Sequence, residues 1–540
     1  MNYATFLPLA IMLVCALRGA DAEVTMYPVP DPVSVCPYEV SIDGQPAPIQ
    51  QAGAYQGAYY VRFEFSGKPR VQVRVRSTAA TSMQLKPERF RTGVTGGGET
   101  LGFDVESPGP RVITTVAGSR ELWPLIILGE ASREPFALDA RTVNLSKYLS
   151  GDGPQTTNIQ KALDDCPDGG TAYFGPGIYL TGPVYVPSNT NVYLAAGCVI
   201  RGSDDPEHFR VEPRCGDFGS PAPGARTLGL INFCGVSHSR IYGPGVIDCA
   251  GHILRDEHDV KTRALVVSSC EDVRVEDVLL RNAGSWTLHI LGSKNVNVRG
   301  VRIIADWAVG NTDGINPDCS QSVTITDYFG YCGDDAVAIK TTSRSPELEG
   351  SRGIVVRDCL VMTRKTAFKI GTETRKDISN VLFDNCEAIS SSRGVGIYVR
   401  DGATISDVTY RNLRLDLMEY AGEGSSGMPF TVVIEKRDGV GAVRRVAFDR
   451  VRVSAPYFSV FRGYPGSRIE DVSFRDCELE IRNRSIKMDV LPVVELVRCS
   501  DVRFERLKLR WNTALRGLWT GPIEQEECER VRLDTVESDS

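Results

Sequence analysis

Two short acidic motifs carry the residue types best suited to chemistry in this chain. Asp313 lies in an Asn-Thr-Asp-Gly segment, and Asp334 and Asp335 lie side by side in Gly-Asp-Asp-Ala, where Asp334 follows Asp313 by 21 residues. Placing like charges together raises at least one carboxyl pKa, as a general acid at neutral pH requires, while a second, ionised carboxylate activates water. Such a set suits the hydrolysis of glycosidic bonds. The alternative is that these residues only fill turns, as we expect for Asp358 and Asn385.

A repeat in the second half of the chain sets the position of these motifs. A unit of alternating β-forming residues, often followed by Asp, Asn or Arg, recurs about every 28 residues. The unit is too short for a propeller blade, and it lacks both a crossover helix and a leucine-rich pattern. The pattern predicts a right-handed parallel β-helix, in which each unit is one coil and loops absorb differences in length. The ten units start at Val273, Val296, Val323, Ile354, Val381, Val408, Val446, Val472, Val502 and Val531.

Equivalent residues of successive coils stack in such a fold, so the spacing of the units has structural consequences. The two acidic motifs are expected on neighbouring coils and on the same side of the stack. Cys359, Cys386 and Cys477 each lie five residues after a unit start. We therefore expect these cysteines in an interior ladder of small apolar side chains.

The remaining segments complete an all-β fold class. Residues 23–136 alternate with a period of two between turn residues, which predicts an N-terminal β-sandwich-like domain. The β-helix is then predicted over residues 137–540. One clear helical pattern, at 157–166, would cover the apolar end of the stack.

Composition and the N-terminus predict the compartment and partners. Residues 1–22 contain an apolar run and a small-residue cleavage site, which predicts a signal peptide and a secreted or periplasmic protein. No later run is long enough to span a membrane. The net charge of −7, without a basic stripe, argues against nucleic acid as a partner. The five histidines lack the spacing of metal ligands and no Cys-x-x-Cys pair occurs, so we predict no metal and no cofactor. We also expect a monomer.

Further motifs accompany the acidic ones, and together they resemble the polygalacturonase family, glycoside hydrolase family 28, over about residues 140–415. The resemblance implies a β-helix hydrolase that inverts the anomeric centre. It implies that Asp334 is the general acid and that Asp313 and Asp335 position and deprotonate the attacking water. The segment 23–136 also resembles the N-terminal domain of the dextranase relatives in family 49. The motifs are 170–174, 182–184, 243–248, 286–289, 311–314 and 333–340.

Two departures from the family pattern concern the substrate. The Gly-His-Gly segment of the family should fall near 365–367, where Lys-Thr-Ala stands, and no histidine follows His289. The Arg-Ile-Lys segment that grips a uronate should fall near 396–398, where Gly-Ile-Tyr stands. A neutral glycan, or a different acidic one, is therefore at least as compatible with the sequence as pectin.

Other residues are candidates for binding sugar. Counting along the coils places Lys369 beside the strand that carries Asp335, and Lys340 in one column with Asp313. The alternative for each charged candidate is a solvated coil face, and for each tryptophan a place in the core. The candidates are Lys340, Lys369, Glu373, Tyr398, Arg400, Trp286 and Trp307.

Three functions remain open at this stage. The first is a hydrolase that cleaves a polysaccharide or oligosaccharide by carboxylate general acid/base catalysis. The second is a polysaccharide lyase, which would need a uronate substrate and a basic proton acceptor such as Lys340, Lys369 or Arg400. The third is a non-catalytic glycan-binding β-helix, which would have no need of Asp334.

Overall fold

A computed structural model describes residues 23–539 except 34, 78, 152, 210–214, 216–227, 421–425, 483–491 and 512–521. The predicted signal peptide lies outside the described residues. Within the described part of the chain, no helix has the length and apolar character needed to cross a membrane.

The N-terminal strands form two facing sheets, in agreement with the predicted β-sandwich. One sheet has the order β1-β5-β11-β10-β7, with β4 on β5, and the other has the order β3-β2-β6-β9-β8. Alternating residues such as Val61, Phe63, Val71 and Val73 face inward and form the core between the sheets. The strands are β1 Val24–Met26, β2 Tyr38–Ile42, β3 Gln45–Pro46, β4 Gln50–Ala52, β5 Ala58–Phe65, β6 Arg70–Val75, β7 Thr81–Lys86, β8 Thr95–Gly96, β9 Thr100–Asp104, β10 Gly109–Ala117 and β11 Arg120–Ala131. The boundary between domains at 136/137 stays a prediction.

The second part of the chain winds into a right-handed parallel β-helix. Every third strand from β15 to β45, followed by β47, belongs to one sheet of 12 strands, and the remaining strands form a continuous sheet of 25 strands. We call these the 12-stranded sheet and the 25-stranded sheet. The strands are β12 Thr142–Asn144, β13 Thr171–Phe174, β14 Gly177–Thr181, β15 Val184–Val186, β16 Asn191–Leu194, β17 Cys198–Gly202, β18 Leu228–Cys234, β19 Ser237–Tyr242, β20 Val246–Asp248, β21 Thr262–Ser268, β22 Glu271–Glu276, β23 Leu279–Arg281, β24 Leu288–Leu291, β25 Lys294–Arg299, β26 Arg302–Ile304, β27 Ile315–Asp318, β28 Gln321–Thr326, β29 Phe329–Cys332, β30 Val337–Thr341, β31 Ser351–Arg357, β32 Leu360–Thr363, β33 Thr366–Thr374, β34 Ile378–Asp384, β35 Glu387–Ser391, β36 Arg393–Asp401, β37 Thr404–Arg411, β38 Arg414–Leu417, β39 Phe430–Gly439, β40 Ala442–Asp449, β41 Arg452–Ala455, β42 Ser459–Arg462, β43 Ile469–Arg475, β44 Glu478–Ile481, β45 Val494–Val497, β46 Cys499–Trp511, β47 Ile523–Glu526 and β48 Arg532–Asp539.

The strand register confirms the repeat predicted from the sequence. Val296 lies opposite Val323, and Val381 lies between Ile354 and Val408 in the same column. The residue four positions after each unit start has a positive φ, and Asp, Asn or Gly occupies most of these positions. Because these residues tolerate the left-handed conformation best, they recur where each coil turns. The residues are Asp277, Gly300, Asp327, Asp358, Asn385, Asn412, Arg450, Asp476, Arg506 and Thr535.

The interior of the β-helix is built from stacked columns of like side chains. Cys359, Cys386 and Cys477 are buried in the column that follows the turn, which confirms the predicted ladder. A second column consists of aromatic rings with adjacent centroids 4.7–5.3 Å apart, close to the strand spacing. Its members are Phe383, Tyr410, Phe448, Phe474 and Phe504.

In the described part of the chain, two α-helices flank the coils. Helix α1, Thr156–Asp164, buries Ile159, Ala162 and Leu163 against the first coils, as predicted for a cap. Helix α2, Gly251–His258, was not predicted, because its eight residues are mostly polar and carry little apolar periodicity. Short 3₁₀ helices span Glu88–Phe90, Leu145–Lys147 and Pro206–Phe209.

The sandwich docks on the outer face of the 25-stranded sheet. An apolar cluster joins the two parts; it includes Ala52, Tyr60, Ile126 and Leu128 from the sandwich and Leu279, Ile304, Trp307, Phe329 and Tyr331 from the β-helix. A loop of the sandwich, residues 53–57, adds polar contacts, because the carboxylate of Asp306 accepts backbone N–H bonds from Ala54, Tyr55 and Gln56 at 2.6–2.9 Å. The segment that begins at Asp306 and ends with the first acidic motif is therefore anchored on the sandwich.

Candidate active site

The two acidic motifs immediately precede consecutive strands of the 12-stranded sheet, β27 and β30. The backbone N–H of Gly314 donates to the carbonyl of Asp335 at 2.9 Å, and Ile315 lies opposite Val337. This register brings Asp313 opposite Asp335 on the neighbouring coil. The predicted convergence of the three carboxylates on one side of the stack is therefore confirmed.

The three carboxylates differ in their exposure. Asp313 and Asp335 are only 1% and 2% exposed, whereas Asp334 is half-buried. A large substrate can therefore touch Asp334 from the cleft, while the other two carboxylates form the floor of the site.

Asp335 is held as a carboxylate by a half-buried cation. The Nζ of Lys369 lies 2.6 Å from Asp335 Oδ2, and the backbone N–H of Thr366 donates to Oδ1 at 3.0 Å. Burial raises the pKa of Asp335, but the charges of Lys369, Lys340 and Arg393 outweigh it and hold this pKa below its usual value.

Asp313 is in the opposite electrostatic state. Its Oδ2 accepts a hydrogen bond from Asn316 at 2.8 Å and lies 3.6 Å from the Nζ of Lys340. Burial, together with the negative charges of Asp334 and Asp335, outweighs these contacts and raises the pKa of Asp313 to about 7. A proton is therefore retained in this cluster near neutral pH.

Asp334 has few favourable partners for its charge. Its carboxylate accepts hydrogen bonds from the backbone N–H groups of Asn311 and Asp335, each at 2.9 Å. Burial and the adjacent charge of Asp335 raise the pKa of Asp334 above its usual value. Because one proton is shared in a cluster of interacting carboxyl groups, the three groups titrate as a set.

Most of the predicted binding residues lie around this cluster. Lys369 lies opposite Ala338, as predicted, and its Nζ is 5.3 Å from the ring centroid of Tyr398. The carboxylate of Glu373 lies between Lys340, at 3.1 Å, and Arg437, at 3.6 Å. Arg400 forms an ion pair with Glu435 on β39. The roles of these residues in sugar binding stay predictions.

The predicted column that joins Lys340 to Asp313 is wrong. Lys340 lies opposite Asp318, five residues further along the coil than Asp313. The reason is the connection between β26 and β27, residues 305–314, which is longer than the corresponding connection between β29 and β30, residues 333–336. The Lys340 side chain nevertheless lies 3.6 Å from Asp313, because β30 and β27, the strand that follows Asp313, are neighbours in the 12-stranded sheet.

The two tryptophans occupy different environments. Trp286 is half-buried beside the carboxylates, and its indole centroid lies 4.5 Å from Lys340 Nζ and 5.1 Å from the guanidinium carbon of Arg263. Trp307 is buried between the sandwich and the β-helix, where it stacks on Tyr331 with centroids 4.9 Å apart. The prediction that Trp307 lines the cleft is therefore wrong, and this ring belongs to the core.

Several residues of the site were missed by the sequence analysis. They belong to strands whose cleft-facing register could be read only after the coils were aligned. Stacking β21, β24, β27, β36 and β39 on β30 is the signal that would have found them. The missed residues are Arg263, His289, Asn316, Asp318, Arg393, Glu435 and Arg437.

The relationship to known proteins agrees with this geometry. Residues 223–422 match the family model described as glycosyl hydrolases family 28. A probable polygalacturonase from Vitis vinifera is 28% identical over 298 residues, which cover 50% of this chain and 60% of the relative. An endo-polygalacturonase from Pectobacterium carotovorum is 26% identical over 339 residues, which cover 56% of this chain and 83% of the relative.

A solved structure extends the likeness to the fold of nearly the whole chain. The family 28 exopolygalacturonase of Yersinia enterocolitica superimposes with a TM-score of 0.59 at 14% identity, covering 90% of this chain and 98% of that one. At this identity the superposition speaks for the fold alone. The matched segment 223–422 contains all three carboxylates of the site, and over this segment the chain is similar to the O-glycosyl hydrolases of family 28.

Proposed function

We propose that the protein hydrolyses glycosidic bonds of an acidic polysaccharide of the polygalacturonan type, with inversion at the anomeric carbon. The observation that carries this proposal is the contrast between two adjacent carboxylates, the partly exposed Asp334 with a raised pKa and the buried Asp335 with a lowered one. Pairs of carboxyl groups whose environments separate their pKa values are the usual basis of acid and base assignment.

Asp334 is the general acid of the proposed reaction. A general acid must touch the glycosidic oxygen and must hold a proton at the working pH. Asp334 is the most exposed of the three groups, and burial together with Asp335 raises its pKa. Its proton passes to the leaving sugar as the bond breaks.

Asp335, whose pKa is lowered, accepts the proton of the attacking water, and Asp313 helps to orient that water. Both oxygens of Asp335 accept hydrogen bonds, from Thr366 and Lys369, and Asp313 is held by Asn316. These engaged and buried carboxylates are better placed to hold a water molecule than to attack a sugar carbon themselves. Direct attack by water on the face opposite the leaving group inverts the anomeric configuration.

The same electrostatics disfavour the lyase alternative. A lyase needs a neutral base, but Lys340 lies within 4 Å of both Asp313 and Glu373, which raise its pKa above the usual value. Lys369 is paired with Asp335, and Arg400 with Glu435. Lys340 is thus held in its protonated state by the neighbouring carboxylates.

The substrate class rests on the relatives and on the cations around the carboxylates. The relatives described above are named as polygalacturonases. The cleft itself contains Lys340, Lys369, Arg400 and Arg437, although the residues at 365–367 and 396–398 differ from the family pattern. A uronate-containing glycan with a linkage or substitution that differs from plain pectin fits both observations.

The test is a substrate panel on the purified protein. We expect new reducing ends from polygalacturonate or a related acidic glycan, no ultraviolet absorbance from an unsaturated product, and an initial product of inverted anomeric configuration by NMR. Cleavage of neutral glycans only would contradict the acidic substrate, an unsaturated product would establish the lyase, and retention would contradict water as the direct nucleophile.

We also propose that the protein works outside the cytoplasm as a monomer. The support for export is the sequence of residues 1–22, which has the pattern of a signal peptide. N-terminal sequencing of the exported protein should begin at Glu23, and light scattering should give the mass of a single chain. A retained residue 1–22 segment or a dimer mass would contradict these two statements.

A further inference from the structure

One cation of the cleft, Arg263, is not used by the proposed chemistry. Arg263 lies on β21, two strands before β27 in the 12-stranded sheet. Its guanidinium carbon lies 5.1 Å from the centroid of the half-buried Trp286 ring, and Lys340 borders the same ring at 4.5 Å. Strands β21 and β27 are separated by two strand spacings of about 4.8 Å each. Arg263 is therefore within one or two sugar units of the proposed cleavage point.

The charge of Arg263 is not neutralised by a direct acid partner. Lys340, Lys369, Arg400 and Arg437 each form an ion pair with a carboxylate. No carboxylate of the described residues lies within 4 Å of the Arg263 guanidinium, and its Nε is buried without a hydrogen-bond partner. Burial lowers the pKa of Arg263 to about 10, so that the group still carries its charge at neutral pH.

Arg393 is the other cleft cation without a carboxylate within 4 Å among the described residues. It stands in the column of Thr366, next to Asp335, and its charge lowers the pKa of Asp335. Arg393 therefore already serves the carboxylate cluster. Arg263 interacts with Asp313 and Asp318 only at longer range, and its guanidinium donates a hydrogen bond to His289.

A chain of buried groups fixes the orientation of Arg263. Its Nη1 donates to His289 Nδ1, and His289 Nε2 donates to Asp318 Oδ2 at 3.0 Å. Asp318 also accepts bonds from the backbone and hydroxyl of Thr342 at 2.8 and 2.6 Å. Burial and the adjacent Arg263 lower the pKa of His289 to about 4, so the imidazole is neutral and can accept from the arginine. A guanidinium held in this way is prepared for a ligand with little loss of conformational freedom.

We propose that Arg263, held by His289 beside Trp286, binds the anionic group of a sugar unit next to the cleaved bond, on the side of the N-terminal coils. The inference rests on the proposed function and names the residue through which that site selects a charged substrate. A planar guanidinium recognises a carboxylate through two parallel hydrogen bonds. A sulfate ester offers the same oxyanion chemistry, so both sources are included in the test.

The experiment measures binding in an inactive background, Asp334→Asn, by calorimetry. The ligands are a tetragalacturonate, its methyl ester and a sulfated neutral oligosaccharide. Arg263→Gln should weaken binding of the anionic ligand about 10- to 100-fold, as expected for the loss of a charge-assisted contact. Arg263→Gln should leave the affinity for the uncharged methyl ester almost unchanged.

The control is Arg274→Gln, which removes the same charge from the same coil but on the exposed face of β22. We expect this change to leave both affinities as they are. If Arg263→Gln lowers the melting temperature, Arg263→Lys gives a second reading, since it keeps the charge and loses the paired geometry, with an expected loss of about 3- to 10-fold.

The outcomes separate the inference from the proposed function. An Arg263-dependent loss with the carboxylate ligand or with the sulfated ligand supports the inference and identifies the source of the anion. Equal affinities in the Arg263 variants, or equal losses for the acid and its ester, overturn it. Hydrolysis by the unaltered enzyme is measured separately, so that an active enzyme with Arg263-independent binding refutes the subsite alone.

Discussion

The buried ion pair between Lys369 and Asp335 provides a sharp test of the electrostatics of the site. The two charged atoms are 2.6 Å apart, and the side chains of Lys369 and Asp335 are 13% and 3% exposed. At an effective dielectric constant of about 20, a pair of unit charges about 4 Å apart is worth about 4 kcal/mol. Because one pKa unit corresponds to about 1.36 kcal/mol, complete loss of the pair could raise the pKa of Asp335 by up to about 3 units.

The expected shift in Lys369→Met is smaller than this limit. The charges of Lys340 and Arg393 remain and continue to lower the pKa of Asp335. We therefore expect a rise of about 1–2 units. Since the proposed base must be ionised, the acidic limb of the kcat/KM profile should move to higher pH by the same amount.

The stability contributed by this ion pair should also depend on pH. Asp335 has a lowered pKa in the folded protein, so its contribution to stability is present above about pH 4 and is lost as the pH falls through the folded-state value. Lys369→Met removes this contribution. The variant should therefore be less stable than the parent at neutral pH, and the difference should narrow in acid.

The assay is a pH profile of kcat/KM, paired with thermal melts at neutral and acidic pH. Lys369→Arg keeps the cation and serves as the control, which should restore the acidic limb to within about half a unit of its original position. An acidic limb that stays in place in Lys369→Met, or that moves to lower pH, would show that Lys369 does not set the pKa of Asp335.

Two further predictions concern the scaffold. Phe448→Ala interrupts the aromatic column and should lower the free energy of unfolding by about 3–5 kcal/mol. Its control, Arg445→Ala on the exposed coil face, should leave the denaturation midpoint nearly unchanged. Similar midpoints for the two variants would contradict a core role of the column. Asp306→Ala removes the acceptor of three N–H bonds from loop 53–57, so the segment before Asp313 loses its anchor on the sandwich. This change should lower kcat more than the affinity for substrate. An unchanged kcat, together with unchanged proteolysis of loop 53–57, would contradict that anchoring role.

Repetition made most of the architecture predictable from sequence. Each coil repeats the same alternation of inward and outward residues, and Asp, Asn or Gly, which tolerate positive φ, occupies the same turn in seven of the ten coils. The interior cysteines followed from position alone, because equivalent residues stack. The prediction that Lys369 lies beside the strand of Asp335 succeeded for the same reason.

The failures occur where the repeat is interrupted. The longer connection at 305–314 shifted the register between coils, so Lys340 was assigned to the wrong column. Trp307 lies in the same connection, and its burial depends on the sandwich docking there, which no local pattern encodes. Arg263 and His289 were missed because an arginine and a histidine on separate strands become a functional pair only once β21 and β24 are stacked.

The central claim is that Asp334 donates the proton to the leaving sugar, and one substitution tests it most directly. Asp334→Asn keeps the size of the side chain and cannot donate a proton as an acid. Initial rates of reducing-end release on the acidic glycan that the unaltered enzyme cleaves best should fall by about 10²- to 10⁴-fold, with an unchanged circular dichroism spectrum and retained substrate binding. Cleavage that persists at close to the original rate would contradict the account.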